Sequence, residues 1–308
     1  MALRNPLNRT RLFLLTFLFA FCTCCNTALA QEAVQAHPAP TSTQQDAINF
    51  VSSIKELGPS PYWPNIKPSL FLENLRTDAR EPLSIYQGRG TNFCGYGALT
   101  YLFLQDDPLG YVKLLYTLYK DGKATHGKTN FDPSGPVKKQ AGQLKYKGLL
   151  DIKPAEQMWF LSLADHFKGY LNIFNRNYDP GDEDKFWASV NYAKFNRMIR
   201  SLLNYHVNAR GTDLIRPNLD SSFEYIAKRL ANGPVVIFIN NRIVHKKKHT
   251  KIKFAVPTHF IAIQRISRVN DEITLVFWDY GGRTLLQLST SFFRKIIFGI
   301  TDCSKEDK

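Results

Sequence analysis

From residue 46 onward, apolar positions recur at helical spacing. Ile48, Val51, Ile54 and Leu57 line one face of a helix predicted over 46–57, and Gly58-Pro59 stops it. Residues 58–68, with four prolines, read as an irregular surface segment. After Gly95, the residues Ala98, Leu99, Leu102 and Phe103 give a second apolar face that ends before Asp106-Asp107-Pro108. A further helix is predicted over 108–119, stopped at Asp121-Gly122. The stretch 123–150 reads as loop. Residues 154–206 read as helices broken near 179–184, and another helix is predicted over 221–231.

The rhythm then changes. Val235-Val236-Ile237-Phe238-Ile239, Phe260-Ile261-Ala262-Ile263, 273–278 and 284–286 are strand-like, with turns at Asn270-Asp271 and Gly281-Gly282. Helices leading and an antiparallel sheet following, its strands consecutive in sequence, is an α+β architecture. No internal repeat is visible, which argues against solenoids and propellers.

The first 30 residues stand apart. Arg4, Arg9 and Arg11 precede an apolar run over 12–21, and Ala28-Leu29-Ala30 follows. That is the pattern of a cleaved secretory signal, and the run is short of the roughly 20 residues a spanning helix needs. Cys22, Cys24 and Cys25 follow Phe, Thr and Cys rather than a small residue, so lipid attachment is the lesser alternative. Export to a periplasm or medium is expected, with membrane contact only through the signal. Residues 31–45, polar and without period, read as a flexible leader, and 46–303 as one domain.

Composition changes the picture in two ways. With 44% hydrophobic and 21% charged residues, the chain has ample apolar surface to fold, and disordered, collagen-like and multi-span classes are excluded. Removing the signal costs three arginines and no acids, so 37 cations face 26 acids in a basic mature chain. The run His245-Lys246-Lys247-Lys248-His249, continuing to Lys253, reads as a solvated loop or as a cationic rim for a cell-wall polymer or anionic surface. Nucleic acid is disfavoured, since no binding motif is present.

Cleavage also leaves only Cys94 and Cys303, so disulfides cannot be the scaffold. Cys94 lies in Asn92-Phe93-Cys94-Gly95-Tyr96-Gly97, where a helix begins, and the positive end of that helix favours a thiolate. His259 opens one strand and Asp279 closes the next. A hairpin around Asn270-Asp271 brings both to one end, where a carboxylate can orient an imidazole that takes the thiol proton. Gln87 could supply an amide to a developing oxyanion, with Asn92 as the alternative donor. Each residue has a plainer reading, as buried structure or turn. Their order and strand context together favour chemistry. Cys303, after the last apolar strand, is expected to fray with the C-terminus, and Cys303→Ser to leave stability unchanged. No metal-ligand spacing appears, and no metal or cofactor is expected.

The runs NFCGYGAL, GPVVIFI, THFIAI and VFWDYGG resemble the papain-like cysteine peptidases, most of all the compact bacterial branch with the peptidase domains of bacteriocin-exporting transporters. The resemblance implies a papain-like fold, with the nucleophile helix packed on a C-terminal antiparallel sheet. It implies Cys94 as nucleophile, His259 as base, Asp279 as orienting carboxylate and Gln87 as oxyanion donor. The function it implies is an exported hydrolase of peptide or amide bonds, acting on a peptide or protein. It covers 85–105 and 230–300. Residues 106–229 stand as a helical insertion without counterpart, and Gln87 lies seven residues before Cys94 where the family has six. A cell-wall amidase, an acyltransferase and an inactive peptide-binding module are the alternatives.

Overall fold

The computed structural model describes residues 31–32, 39–88, 90–143, 152–167, 188–240 and 256–305. The expected signal (1–30), most of the polar leader, the acidic cluster 182–184 and the basic run 245–253 lie outside them. In chain order the elements are β1 (Gln31–Glu32), α1 (Gln44–Ser53), α2 (Pro68–Arg80), α3 (Cys94–Asp106), α4 (Pro108–Asp121), β2 (Ala124–His126), β3 (Thr129–Phe131), α5 (Gly135–Gln140), α6 (Pro154–Phe167) and α7 (Tyr192–Leu202). They continue with β4 (His206–Gly211), α8 (Ser222–Leu230), β5 (Val235–Ile239), β6 (His259–Val269), β7 (Glu272–Asp279), β8 (Gly282–Ser289), α9 (Thr290–Ile296) and β9 (Ile297–Ser304). A 3-10 turn covers Pro82–Ser84.

The architecture is α+β. Its main sheet runs β4-β9-β5-β6-β7-β8 with β1 also on β6, and every described pairing is antiparallel. Strands β5 to β8 are consecutive as expected, but β9 returns to lie between β4 and β5. The sheet is covered on both faces, which explains why β5 and the start of β6 are unbroken apolar runs. Phe260 and Ala262 enter the larger core with α3, α6 and α7, whereas Ile261, Ile263 and Ile266 enter a second core with α8 and α9. The edge strand β8 keeps the alternation of a half-covered strand.

Several expectations are corrected. The helix α1 begins at Gln44, two residues before the expected domain start, because Thr43 and Asp46 form a reciprocal capping box. The end of the expected flexible leader is tied down: Thr41 N donates to Asp106 O at 2.6 Å, and Ser42 Oγ donates to Asp107. The stretch read as loop contains β2, β3 and α5. Residues 106–229 are more than a helical insertion, since β4 within them extends the main sheet. Pro68 opens α2, a start that suits proline because the first helical amide has no intrahelical partner. The α3 helix is buried almost all round rather than along one face.

Cys303 does not fray. It sits inside β9, opposite Val207, 2% exposed, with its amide bonded to Pro234 O at 3.0 Å. Burial, reinforced by Asp302 and opposed by Arg200, pushes its thiol far above the ordinary range, so it stays protonated. The expected neutrality of Cys303→Ser is therefore withdrawn. A hydroxyl placed there must find a partner in an apolar site. The variant should lose about 1–3 kcal/mol in urea unfolding, whereas Cys303→Ala should lose less than a large-to-small core change. Equal midpoints for Cys303→Ser and the parent would show that the site admits water.

Candidate active site

Cys94 is the first residue of α3. Its N-cap, Phe93, has no side chain to cap the helix, so the leading amides of α3 keep their donor capacity. Phe93 instead anchors that end, with its ring 5.7 Å from Phe160 and 5.8 Å from Tyr96. The two glycines serve close approach. A Cβ on Gly95 would come within 2.7 Å of Val190 Cβ, and one on Gly97 within 3.1 Å of Gln87 Oε1 and 3.2 Å of Trp278.

His259 opens β6 opposite Ile239, and Asp279 closes β7. His259 Nε2 lies 2.6 Å from Asp279 Oδ1, with the two residues 1% and 4% exposed. That leaves Nδ1 for the thiol. Cys94 Sγ, half-buried, is also 3.7 Å from Thr258 O. Burial works against the imidazolium. Hydrogen bonds to Asp279 and Cys94, with the negative charge of both, outweigh it and raise His259 to about 9. His259 thus lies between the Asp279 carboxylate and Cys94 at the N-terminus of α3.

Register decides this meeting. Near the turn β6 and β7 pair as Arg265 with Val276, but past a bulge they pair as Ile263 with Phe277 and Ala262 with Trp278. Continued to the open end, the shifted register sets Asp279 across from Ile261, on the face His259 also occupies. Without the bulge Asp279 would fall on the other face.

The structure thus brings together Cys94, His259 and Asp279. Gln87 is buried against Gly97, one turn along α3, and its side-chain amide has no hydrogen-bond partner among the described residues. Its segment is held from behind. Lys153 Nζ donates to Ser84 Oγ at 3.3 Å and to Asp78 at 3.1 Å, and ion-pairs with Glu156 at 3.0 Å. Asn92 is half-buried and lines the cleft beside Cys94.

Three contributors were missed by the sequence reading. Tyr280 lies in the left-handed region (φ 45°), uncommon for a large side chain, and its ring stacks on His259 at 4.8 Å and 10°. Lys194, 3% exposed on α7, donates to Tyr96 OH at 3.0 Å, and burial with nearby Arg197 pulls it down to about 7. The third is the cleft wall itself. About 670 Å³ opens beside Cys94, between Val190, Asn191 and Leu214 on one side and Phe238, Val256 and Thr258 on the other. Two of its wall segments belong to 106–229, where neither periodicity nor motif marked a site. An aromatic between Asp and Gly-Gly was visible, but nothing in a lone Tyr signals a positive φ.

The raised His259 value fixes a pH window. Its folded value exceeds the ordinary 6.5, so the stability it lends is complete below about 6.5 and disappears as pH rises through about 9. Imidazole NMR should give a midpoint near 9, and Cys94→Ala and Asp279→Asn should each lower it. A midpoint near 6.5 in the parent protein would remove the ion pair from the description. Tyr280→Phe should keep the titration in place, while Tyr280→Ala should lower it by about half a unit, the equivalent of roughly 0.7 kcal/mol of ring–cation contact.

Compared with protein-family models, curated proteins and solved structures, the chain finds no match. The chemistry of the cleft is read from its geometry alone.

Proposed function

We propose that the chain is an exported, papain-like cysteine hydrolase that cleaves a peptide or amide bond through Cys94, His259 and Asp279. The observation that carries this reading is the line from the uncapped start of α3 through His259 to Asp279, its imidazole Nε2 2.6 Å from the carboxylate. An activated thiol needs a base within reach and a third group to hold the base, and these residues fill those roles. The unbridged state of both described cysteines weighs against a module whose thiol is consumed in a disulfide.

In this reading Cys94 Sγ⁻ attacks the carbonyl carbon, and a C–S bond forms as the carbonyl π bond opens. The Cys94 N–H and the unpartnered Gln87 amide stabilise the oxyanion. His259 gives its proton to the leaving nitrogen, the C–N bond breaks and a thioester remains. Water then attacks the thioester, giving a proton to His259 as the new C–O bond forms. The C–S bond breaks, the carboxyl product leaves, and Cys94 Sγ⁻ beside protonated His259 is restored. Asp279 keeps the imidazole ring oriented throughout. The apolar floor of the cleft at Val190 and Phe238, with Leu214 and Val256 exposed at its lip, suits an apolar side chain beside the scissile bond. The substrate is a peptide or protein met outside the cell.

The test begins with a thiol-directed epoxide or iodoacetamide probe. It should label Cys94 at neutral pH, and labelling should collapse in His259→Ala. Cys94→Ala should remove all hydrolysis and leave the fold intact, since the thiol contributes little packing. Full turnover by that variant would end the proposal. His259→Ala should lose more kcat/KM than Asp279→Asn, because an amide can still hold the ring whereas loss of the imidazole removes proton transfer. Gln87→Ala should cost about 10²–10³ in kcat, as removal of one oxyanion donor does elsewhere. An unchanged kcat would transfer the role to Asn92.

A further inference from the structure

A second opening, of about 980 Å³, shares no lining residue with the cleft beside Cys94. Its walls come from the end of α2, the Pro82–Ser84 turn, the second half of α3 and strands β6 to β8. Three arginines, Arg80, Arg265 and Arg283, line it with the amides of Gln44, Gln105 and Gln264, and Glu81 is the one acid among its walls. Arg80 and Arg283 have no carboxylate within ion-pairing distance among the described residues.

The cations are placed by the fold. Arg283 is paired directly with Trp278 across β7 and β8, so both side chains stand on one face. Arg265 is paired with Val276, two residues from Trp278, and shares that face. It does so because of the bulge at Gln264. In the register beyond the bulge it would pair with Leu275 and point into the second core. Buried Gln264 then fixes Arg283, accepting from its Nε at 2.7 Å while donating to Tyr101 OH at 3.1 Å. Arg80 ends α2, and Gln44 Nε2 is bonded to its carbonyl at 2.6 Å.

We infer that this groove binds an acidic peptide segment. Two exposed guanidiniums without carboxylate partners, with a third beside them, call for carboxylates, which arginine receives in bidentate fashion. Gln105, exposed near the end of α3, supplies a further amide donor to a peptide backbone. Leu83, Pro82 and Val276 give apolar surface between the charges, which suits a chain of side chains better than a lone ion. The volume lies at the upper end of the roughly 300–1,000 Å³ of small-ligand clefts. The inference stands apart from the hydrolase reading, because binding here needs no thiol chemistry.

The test uses the full chain carrying Cys94→Ala and a fluorescein-labelled hexaglutamate peptide, read by anisotropy at low and physiological salt. Saturable binding is expected, weakening with salt. The double variant Arg80→Gln/Arg283→Gln should bind at least tenfold more weakly, and Arg265→Gln a few-fold more weakly, each with unfolding midpoints near the parent's. Lys113→Gln/Lys120→Gln on α4 removes the same charge elsewhere and should leave binding unchanged. Equal loss in that control would reduce the effect to net charge and overturn the inference. So would binding of hexaglutamine with similar affinity, full competition by inorganic phosphate at equal carboxylate and phosphate concentrations, or no binding. Since Cys94 is absent throughout, none of these results bears on the hydrolase reading, and a failure of that reading leaves the groove untouched.

Discussion

Three parts of the chain meet on the indole of Trp278. The ring is fully buried, stacks on Tyr101 of α3 at 5.2 Å and donates from Nε1 to Leu83 O at 2.9 Å. It also lies where a Cβ on Gly97 would come within 3.2 Å, so a side chain there would make the indole or α3 give by a few tenths of an ångström. Aromatic burial of this size is among the larger single contributions to a core. Here it also sets distances. The residue after Trp278 is Asp279, four residues after Leu83 comes Gln87, and one turn before Gly97 is Cys94. The thiol, the carboxylate and the amide thus all lie within four residues of the contacts this side chain makes.

Much of this was legible from residue order. A hairpin with a two-residue turn at Asn270-Asp271 fixes which ends of its strands lie together, and the structure gives Asn270 the positive φ (55°) that such turns favour. His259 and Asp279 could therefore be placed at one end of the sheet from sequence. Their common face could not, because it depends on a bulge that no residue pattern announces. The same limit applies to β9. Its apolar run was visible, but its return to pair with β4 and β5 is set by contacts far apart in sequence. Cys303 was misread for that reason. The long region before β4 lacked any chemical motif, and its part in the cleft comes from where α7 and β4 pack.

Charge at the site is managed by enclosure. Burial alone would deprotonate His259, yet Asp279 and Cys94 face it in the same low-dielectric space and win. Lys194, on α7, shows the opposite balance. Its ammonium donates to Tyr96 OH, and burial, with the charge of Arg197, pulls it down to about 7. The contrast comes from the partners. At Asp78 and Glu156 burial again dominates, pushing both carboxyls up despite Lys153 beside them. These three sites surround α3 and the segment leading to Gln87, so the polar groups that brace the cleft are held by packing rather than by exposed ion pairs, which contribute little.

The bulge in β6 shapes both the cleft and the groove. On its open side it brings Asp279 onto the face of His259, and on its other side it turns Arg265 from the second core to the groove. A strand of strict alternation could satisfy one of these needs and not both, since a one-residue slip exchanges every side chain between faces. Inserting a residue at Gln264 answers both. Gln264 is then left on the groove side, and its bonds to Tyr101 and Arg283 satisfy an amide that would be costly if buried alone. The local irregularity is therefore stabilised by the same contacts that give it a use. Without it, keeping the carboxylate in place would displace the guanidinium and keeping the guanidinium would displace the carboxylate, so the cleft and the groove are linked through a single backbone irregularity.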